Sequence, residues 1–164
     1  MINNLEFSRI DDRLIHGQVV TQWIKQYNKV QHILVVDDKT AADPFMGKMF
    51  SYLVPSGITI ENRTIDEAAE LLNAEGGLEK PTMLIAKVPD TIKALRDKGC
   101  QIDYFNIGGM GLTGDRKKFF QNISMSPSEK EVIKSMIDDG VKVEIQIIPA
   151  QGCYNVADLL AKEK

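Results

Sequence analysis

Cysteine is nearly absent from this 164-residue chain: Cys100 and Cys153 are the two, and they lie far apart in sequence. They form no CxxC pair and no zinc-ligand spacing, so reduced thiols are expected rather than a disulfide scaffold or a thiol-held metal. Histidine is as scarce, with only His16 and His32. Long hydrophobic runs are missing too. The strongest, ILVV at 33–36 and TMLIA at 82–86, fall far short of the ~18 residues that cross a membrane. The opening MINNLEFSRIDDR has neither a basic n-region nor an apolar h-region, so no secretory signal is expected and a cytoplasmic protein is. Nor does one charge dominate. Twenty basic and 23 acidic residues leave a formal charge of -3, which argues against a broad nucleic-acid or anionic-lipid surface. What remains is an ordinary globular composition, 43% apolar, at a length that suits one domain over residues 1–164.

The patterning alternates between two periods. LEFSRI (5–10) reads as a strand that ends at Asp11, and residues 17–27 carry Val20, Trp23, Ile24 and Tyr27 at helical spacing. QHILVVD (31–37) is β-branched without polar alternation, the mark of a strand covered on both faces. Residues 40–57 read as a helix through Phe45, Met49 and Tyr52, with Met49 and Trp23 assigned to helix packing. Strands are expected at 58–62, 82–88, 102–107, around 119–123 and at 141–148, with helices between them and a last one at 155–164. Six or seven strands alternating with five or six helices predict an α/β fold: an open, mainly parallel sheet with helices on both faces.

Ligands of such sheets bind beyond the C-terminal strand ends. Three turns fall there: Asp11–Gln18, Asp37-Asp38-Lys39, and Asn106–Gly111. The first is the richest. His16 stands at a helix start, where free backbone N–H groups and the positive dipole end lie. One ring nitrogen can attack phosphorus, and the same N–H groups can then bind the phosphoryl oxygens. Gly17 permits close approach, Arg13 offers a forked donor set, and Asp11, Asp12 and Gln18 are candidate loop supports. Together they make a nucleophile site for phosphoryl transfer, to be weighed against a histidine that merely caps its helix. His32 enters a buried strand without a polar neighbourhood and reads as structural.

The other motifs are weaker. GGMGLTG (108–114) lacks GxxxxGK[ST] and a full dinucleotide fingerprint. Asn106, Gly108 and Gly109 are therefore candidates for a flexible crevice wall. Arg116-Lys117-Lys118 reads either as a solvated face or as a docking patch for an acidic partner. Asp37 and Asp38, with Asp43 nearby, have no diagnostic metal spacing, so no metal or other cofactor is expected and the pair is grouped with crevice or partner contacts. Lys87 follows the fourth strand and reads as a surface lysine.

RIDDRLIHGQV at 9–19, followed by VVDDKTAAD at 35–43 and NIGGM at 106–110, resembles the signature of IIB subunits of the mannose/fructose/sorbose class of the sugar phosphotransferase system. The resemblance covers the whole chain. It implies a phosphocarrier that accepts a phosphoryl group on His16 from a IIA phosphohistidine and passes it to a hexose-type sugar imported through a IIC/IID membrane complex. It further implies Arg13 as a catalytic partner, an open parallel sheet, and a cytoplasmic protein held at the inner membrane face through IIC/IID. Other IIB classes use cysteine, but Cys100 and Cys153 match no such motif. The sequence departs from the family in Asp37, where relatives often carry Asn. No IIA domain fits within the chain, so a separate donor is expected. Self-association stays open, as do two rivals: a His-dependent phosphatase and a regulator whose partners change on His16 phosphorylation.

Overall fold

The computed structural model describes residues 2–163, apart from the side chains of Gln18 and Val19. Strand and helix alternate as β1 (Leu5–Asp11), α1 (Gly17–Gln26), β2 (His32–Val36), α2 (Asp38–Ala41), α3 (Pro44–Ser51), β3 (Thr59–Arg63), α4 (Ile65–Asn73), β4 (Thr82–Ala86) and α5 (Pro89–Asp97). They continue as β5 (Tyr104–Gly109), β6 (Lys117–Phe120), β7 (Ile123–Met125), α6 (Pro127–Asp138), β8 (Lys142–Ile145), β9 (Tyr154–Asn155) and α7 (Val156–Ala161). Seven strands form one sheet in the order β3-β2-β4-β1-β5-β8-β9, and β6-β7 is a separate hairpin. All pairings in the large sheet are parallel except that of the short β9 with β8. The fold is thus the expected open, mostly parallel sheet with helices on both faces.

The unalternating apolar runs work because both faces are covered. Ile33, Val35, Met83 and Ile85 point into one cluster with Val20 and Trp23 of α1 and Phe50 of α3. Leu34, Val36, Leu84 and Ala86 point into the other, with Leu72, Ile92, Leu95 and Ile133 from α4, α5 and α6. Each large side chain so buried contributes about 1.5–3 kcal/mol of transfer free energy. Successive residues of one strand therefore hold opposite layers together.

Helix starts divide into two kinds. Thr64 with Glu67, and Ser126 with Glu129, form capping boxes on α4 and α6. The N-cap of α1 is His16, whose side chain makes no capping hydrogen bond, and no acidic residue occupies the first turn. That start stands at the C-terminal end of β1, in the middle of the sheet.

Several expectations need correction. The single strand near 119–123 is a hairpin, turned at Gln121 with φ 50. The last parallel strand stops at Ile145 rather than at 148. Phe45, Met49 and Tyr52 are exposed, because α3 buries its other stripe, Phe50 with the partly covered Met46. Met49 is therefore not a packing residue, whereas Trp23 is. His32 does have polar neighbours: Thr59 Oγ1 lies 2.6 Å from its Nδ1 and Glu61 is 3.7 Å from its Nε2. It opens β2 and so lies at the opposite end of the sheet from His16.

Candidate functional site

Alternation along β1 turns Phe7, Arg9 and Asp11 to one side, where α1 packs. Phe7 stacks on Tyr27, and the Arg9 guanidinium lies 4.7 Å from the centre of the Trp23 ring. The chain then leaves β1 through a tight turn in which Leu14 N–H donates to the Asp11 carbonyl at 2.9 Å. Leu14 adopts φ 58, a left-handed conformation costing an L-residue about 1–2 kcal/mol. Burial of Leu14 and Ile15 in the α1-side core opposes that cost and fixes the turn. His16 follows directly.

The Asp11 carboxylate is the hub. It is 1% exposed and lies 2.9 Å from His16 Nε2. It accepts from the Arg13 backbone N–H at 3.0 Å and from Arg13 Nε at 3.2 Å. Arg9 Nη2 adds a positive charge 3.7 Å away. Burial alone would push the Asp11 carboxyl up, but hydrogen bonds from His16 and Arg13 and the charge of Arg9 together hold it below the usual carboxylate range. An ionised carboxylate can only accept. The ring proton therefore belongs on Nε2, and the Nδ1 lone pair is left for chemistry.

His16 is 25% exposed, open enough for a partner to reach. The amides of Gly17, Gln18 and Val19 lead the helix without intrahelical acceptors. A Cβ on Gly17 would meet nothing within 4 Å, so the space beside the first helical residue is open. Gln18 was a candidate loop support, but its side chain lies outside the described residues. Arg13 is 55% exposed; its guanidinium rests on Asp11 and has solvent on its other side.

Asp12 points away from His16. Its Oδ2 accepts from Gly111 N–H at 2.7 Å and from Arg116 Nη1 at 3.1 Å. Arg116 also makes a forked pair with Glu129, both bonds at 2.9 Å, and its side chain is only 10% exposed. This corrects the reading of Arg116-Lys117-Lys118 as one solvated or docking run: Arg116 is an internal clamp, and only Lys117 and Lys118 are exposed.

The first two glycines of the glycine-rich stretch belong to a strand rather than to the turn. Gly108 and Gly109 end β5, and Asp12 N–H donates to the Gly109 carbonyl at 2.9 Å. A Cβ on Gly108 would overlap the Arg9 guanidinium, and one on Gly109 would sit 2.6 Å from Asp11 Oδ1. Asn106 is fully buried and accepts from Arg9 Nη1 at 3.3 Å. Asp37 and Asp38 bond elsewhere, on a strand that β4 separates from β1. Asp37 caps α2 through Thr40, and Asp38 accepts the Ile65 N–H at 2.7 Å.

Two groups escaped the sequence reading: Arg9, and the carbonyls of Gln146 and Ile147 to which it donates at 2.9 and 2.7 Å. Burial lowers Arg9 to about 10 against the opposing pull of Asp11, so it remains a cation at neutral pH. A usable signal existed: Arg9 and Asp11 follow Phe7 at every second position of β1, which puts both charges on one buried face.

A histidine held by a buried carboxylate, at an uncapped helix start on the C-terminal rim of a parallel sheet, places the chain among α/β proteins whose rim histidine is arranged to receive an anionic group. Residues 5–164 match the family described as "PTS system sorbose subfamily IIB component". The chain is 27% identical to the "PTS system fructose-specific EIIB component" of Bacillus subtilis, over 96% of both chains. It is 29% identical to the "PTS system mannose-specific EIIAB component" of Escherichia coli over 94% of its own length, but spans only 48% of that longer relative. Among solved structures, manxB from Thermoanaerobacter tengcongensis superposes with a TM-score of 0.88 at 33% identity, covering 96% of this chain and 95% of that one. The IIBSor domain of the sorbose permease from Klebsiella pneumoniae shares the fold with a TM-score of 0.90 at 24% identity, with 98% of each chain covered.

The chain belongs to the sorbose-subfamily IIB components of the sugar phosphotransferase system. It is a phosphocarrier: it takes a phosphoryl group from a IIA histidine and delivers it to sugar with the IIC/IID complex. Among the described residues no helix is long and apolar enough to cross a membrane.

Proposed function

We propose that the phosphoryl group is carried on Nδ1 of His16, with Asp11 setting the ring and Arg13 meeting the phosphoryl oxygens. The 2.9 Å contact between His16 Nε2 and Asp11 carries this reading. Nδ1 attacks the phosphorus of the IIA phosphohistidine in line. A new P–N bond forms on His16 as the IIA imidazole leaves. With Nε2 still protonated, the phosphorylated ring is an imidazolium, and its positive charge faces the Asp11 carboxylate. In the second transfer a sugar hydroxyl attacks phosphorus, the P–N bond breaks, and its electrons return to Nδ1. The neutral Nε2–H ring is restored, while the hydroxyl proton passes to solvent or to the sugar-binding partner.

The amides of the first α1 turn suit the phosphoryl oxygens, and Arg13 can swing its exposed fork onto them while its backbone N–H stays on Asp11. No nucleotide or metal is required by this scheme, because the donor P–N bond is already activated. Closure of the partner surfaces over His16 excludes water during transfer. The chain works at the inner membrane face by docking to IIC/IID, and those subunits contact most of the sugar. A test is to incubate the chain with phosphorylated IIA, map the acid-labile label, and assign its nitrogen by NMR. The expected result is label on His16 Nδ1, absent in H16A. Label on His32, Cys100 or Cys153 would refute the assignment.

A further inference from the structure

We propose that Arg9 is a positioning residue for phosphoryl transfer: its buried guanidinium holds Asp11, and through it the His16 ring, in register with the turn that follows β8. The inference rests on His16 being the carrier.

A guanidinium inside a sheet is costly to desolvate, and where it serves stability alone an apolar side chain of similar volume does as well or better. Arg9 is 2% exposed, and its surroundings are shaped for a cation. Its acceptors are neutral, namely Asn106 Oδ1 and the carbonyls of Gln146 and Ile147. The counter-charge is Asp11, 3.7 Å away. Gly108 leaves the space that the guanidinium fills, since a Cβ there would overlap it.

The Ile147 carbonyl makes the arrangement more than a buried ion pair. It receives Arg9 Nη2 at 2.7 Å and Trp23 Nε1 at 3.2 Å. Trp23 belongs to α1, whose N-cap is His16. One carbonyl oxygen therefore references both the helix that carries the histidine and, through Arg9, the strand that carries its carboxylate. In-line attack tolerates little displacement; a misplacement of about 1 Å costs on the order of 100-fold in rate. The charged groups around Asp11 are Arg9 on its own strand and Arg13 in the loop, with the His16 ring hydrogen-bonding from α1, while β5 presents Gly109. Losing the Arg9 charge therefore moves the Asp11 titration upward.

The experiment compares R9Q, R9K and G108A with the native chain. In the unphosphorylated proteins, NMR follows the Asp11 carboxyl titration and the His16 ring tautomer. Single-turnover transfer from phosphorylated IIA gives the rate. R9Q is expected to titrate at higher pH at Asp11 and to transfer about 10–100-fold more slowly, the scale of a modest misplacement. R9K, which restores the charge without the fork, should return the titration toward the native value. G108A keeps the charge but displaces the guanidinium, so it should disturb the His16 ring signals and slow transfer even if R9Q does not fold. A native Asp11 titration, ring signature and transfer rate in folded R9Q or G108A would overturn the proposal. Label that never reaches His16 in the native chain would instead strike the carrier assignment, so the two failures are distinct.

Discussion

Replacing Asp11 with Asn removes one negative charge at nearly constant volume, and the consequences follow from its contacts. The His16–Asp11 bond of 2.9 Å is charge-assisted, and such bonds contribute about 1.5–3 kcal/mol net. The contribution grows along the reaction, because the ring becomes cationic as phosphorus reaches Nδ1. At about 1.4 kcal/mol per decade, D11N should accept phosphoryl roughly 10–100-fold more slowly. Its pH behaviour should change as well. The native carboxyl titrates below its ordinary 3.8: burial opposes ionisation, but His16, Arg13 and Arg9 outweigh it. A depressed carboxyl stabilises the fold fully above pH 3.8 and loses that contribution as pH falls through its lower folded-state value. D11N has no such group, so its stability should fall less steeply in that acid window. Rapid-quench transfer from labelled IIA and thermal melts between pH 2 and pH 7, about the span of carboxylate titration, measure both effects. A native transfer rate together with a native acid profile in D11N would refute the reasoning.

Two further outcomes separate structural from docking roles. E129Q leaves the Arg116 fork facing a neutral amide in a largely buried setting and should cost about 3 kcal/mol, the lower end for breaking a buried pair; urea denaturation reads this directly, and an unchanged midpoint would rule out the clamp. K117E/K118E, which spares Arg116, should lower the second-order transfer rate from IIA about tenfold at low salt through lost steering, with the difference shrinking as salt is added. Stopped-flow rates that match the native protein at low salt would leave those lysines as a solvated turn.

Much of the architecture was legible because its signals are local. Unalternating runs such as HILVV and TMLIA reveal buried parallel strands, and the His16 turn announces itself by dense polar residues between strand and helix. What escaped depends on contacts distant in sequence. Arg116 looks solvated beside two lysines, yet its partner Asp12 is 104 residues away. Arg9 reads as one polar residue in a strand, because its carbonyl acceptors lie 137 and 138 residues on. The last parallel strand reads too long for the same reason: the apolar Ile147 and Ile148 extend the pattern, but the carbonyls of Gln146 and Ile147 turn to Arg9. In α3 both stripes are apolar, Phe45-Met49-Tyr52 as well as Met46-Phe50. Periodicity alone could not say which one faces the sheet.

Arg9 grips the turn after β8 by main-chain oxygens, and every residue type supplies those. Apart from Gln146, whose amide braces the turn through the Pro149 and Gln151 carbonyls, side chains along it can therefore be exchanged without loosening the anchor at its base. Beside the phosphoryl site, the chain thus keeps a stretch of surface whose chemistry is free to diverge while its backbone path is held. Such a division lets one scaffold follow partners of changing shape, with the reacting histidine left where it was.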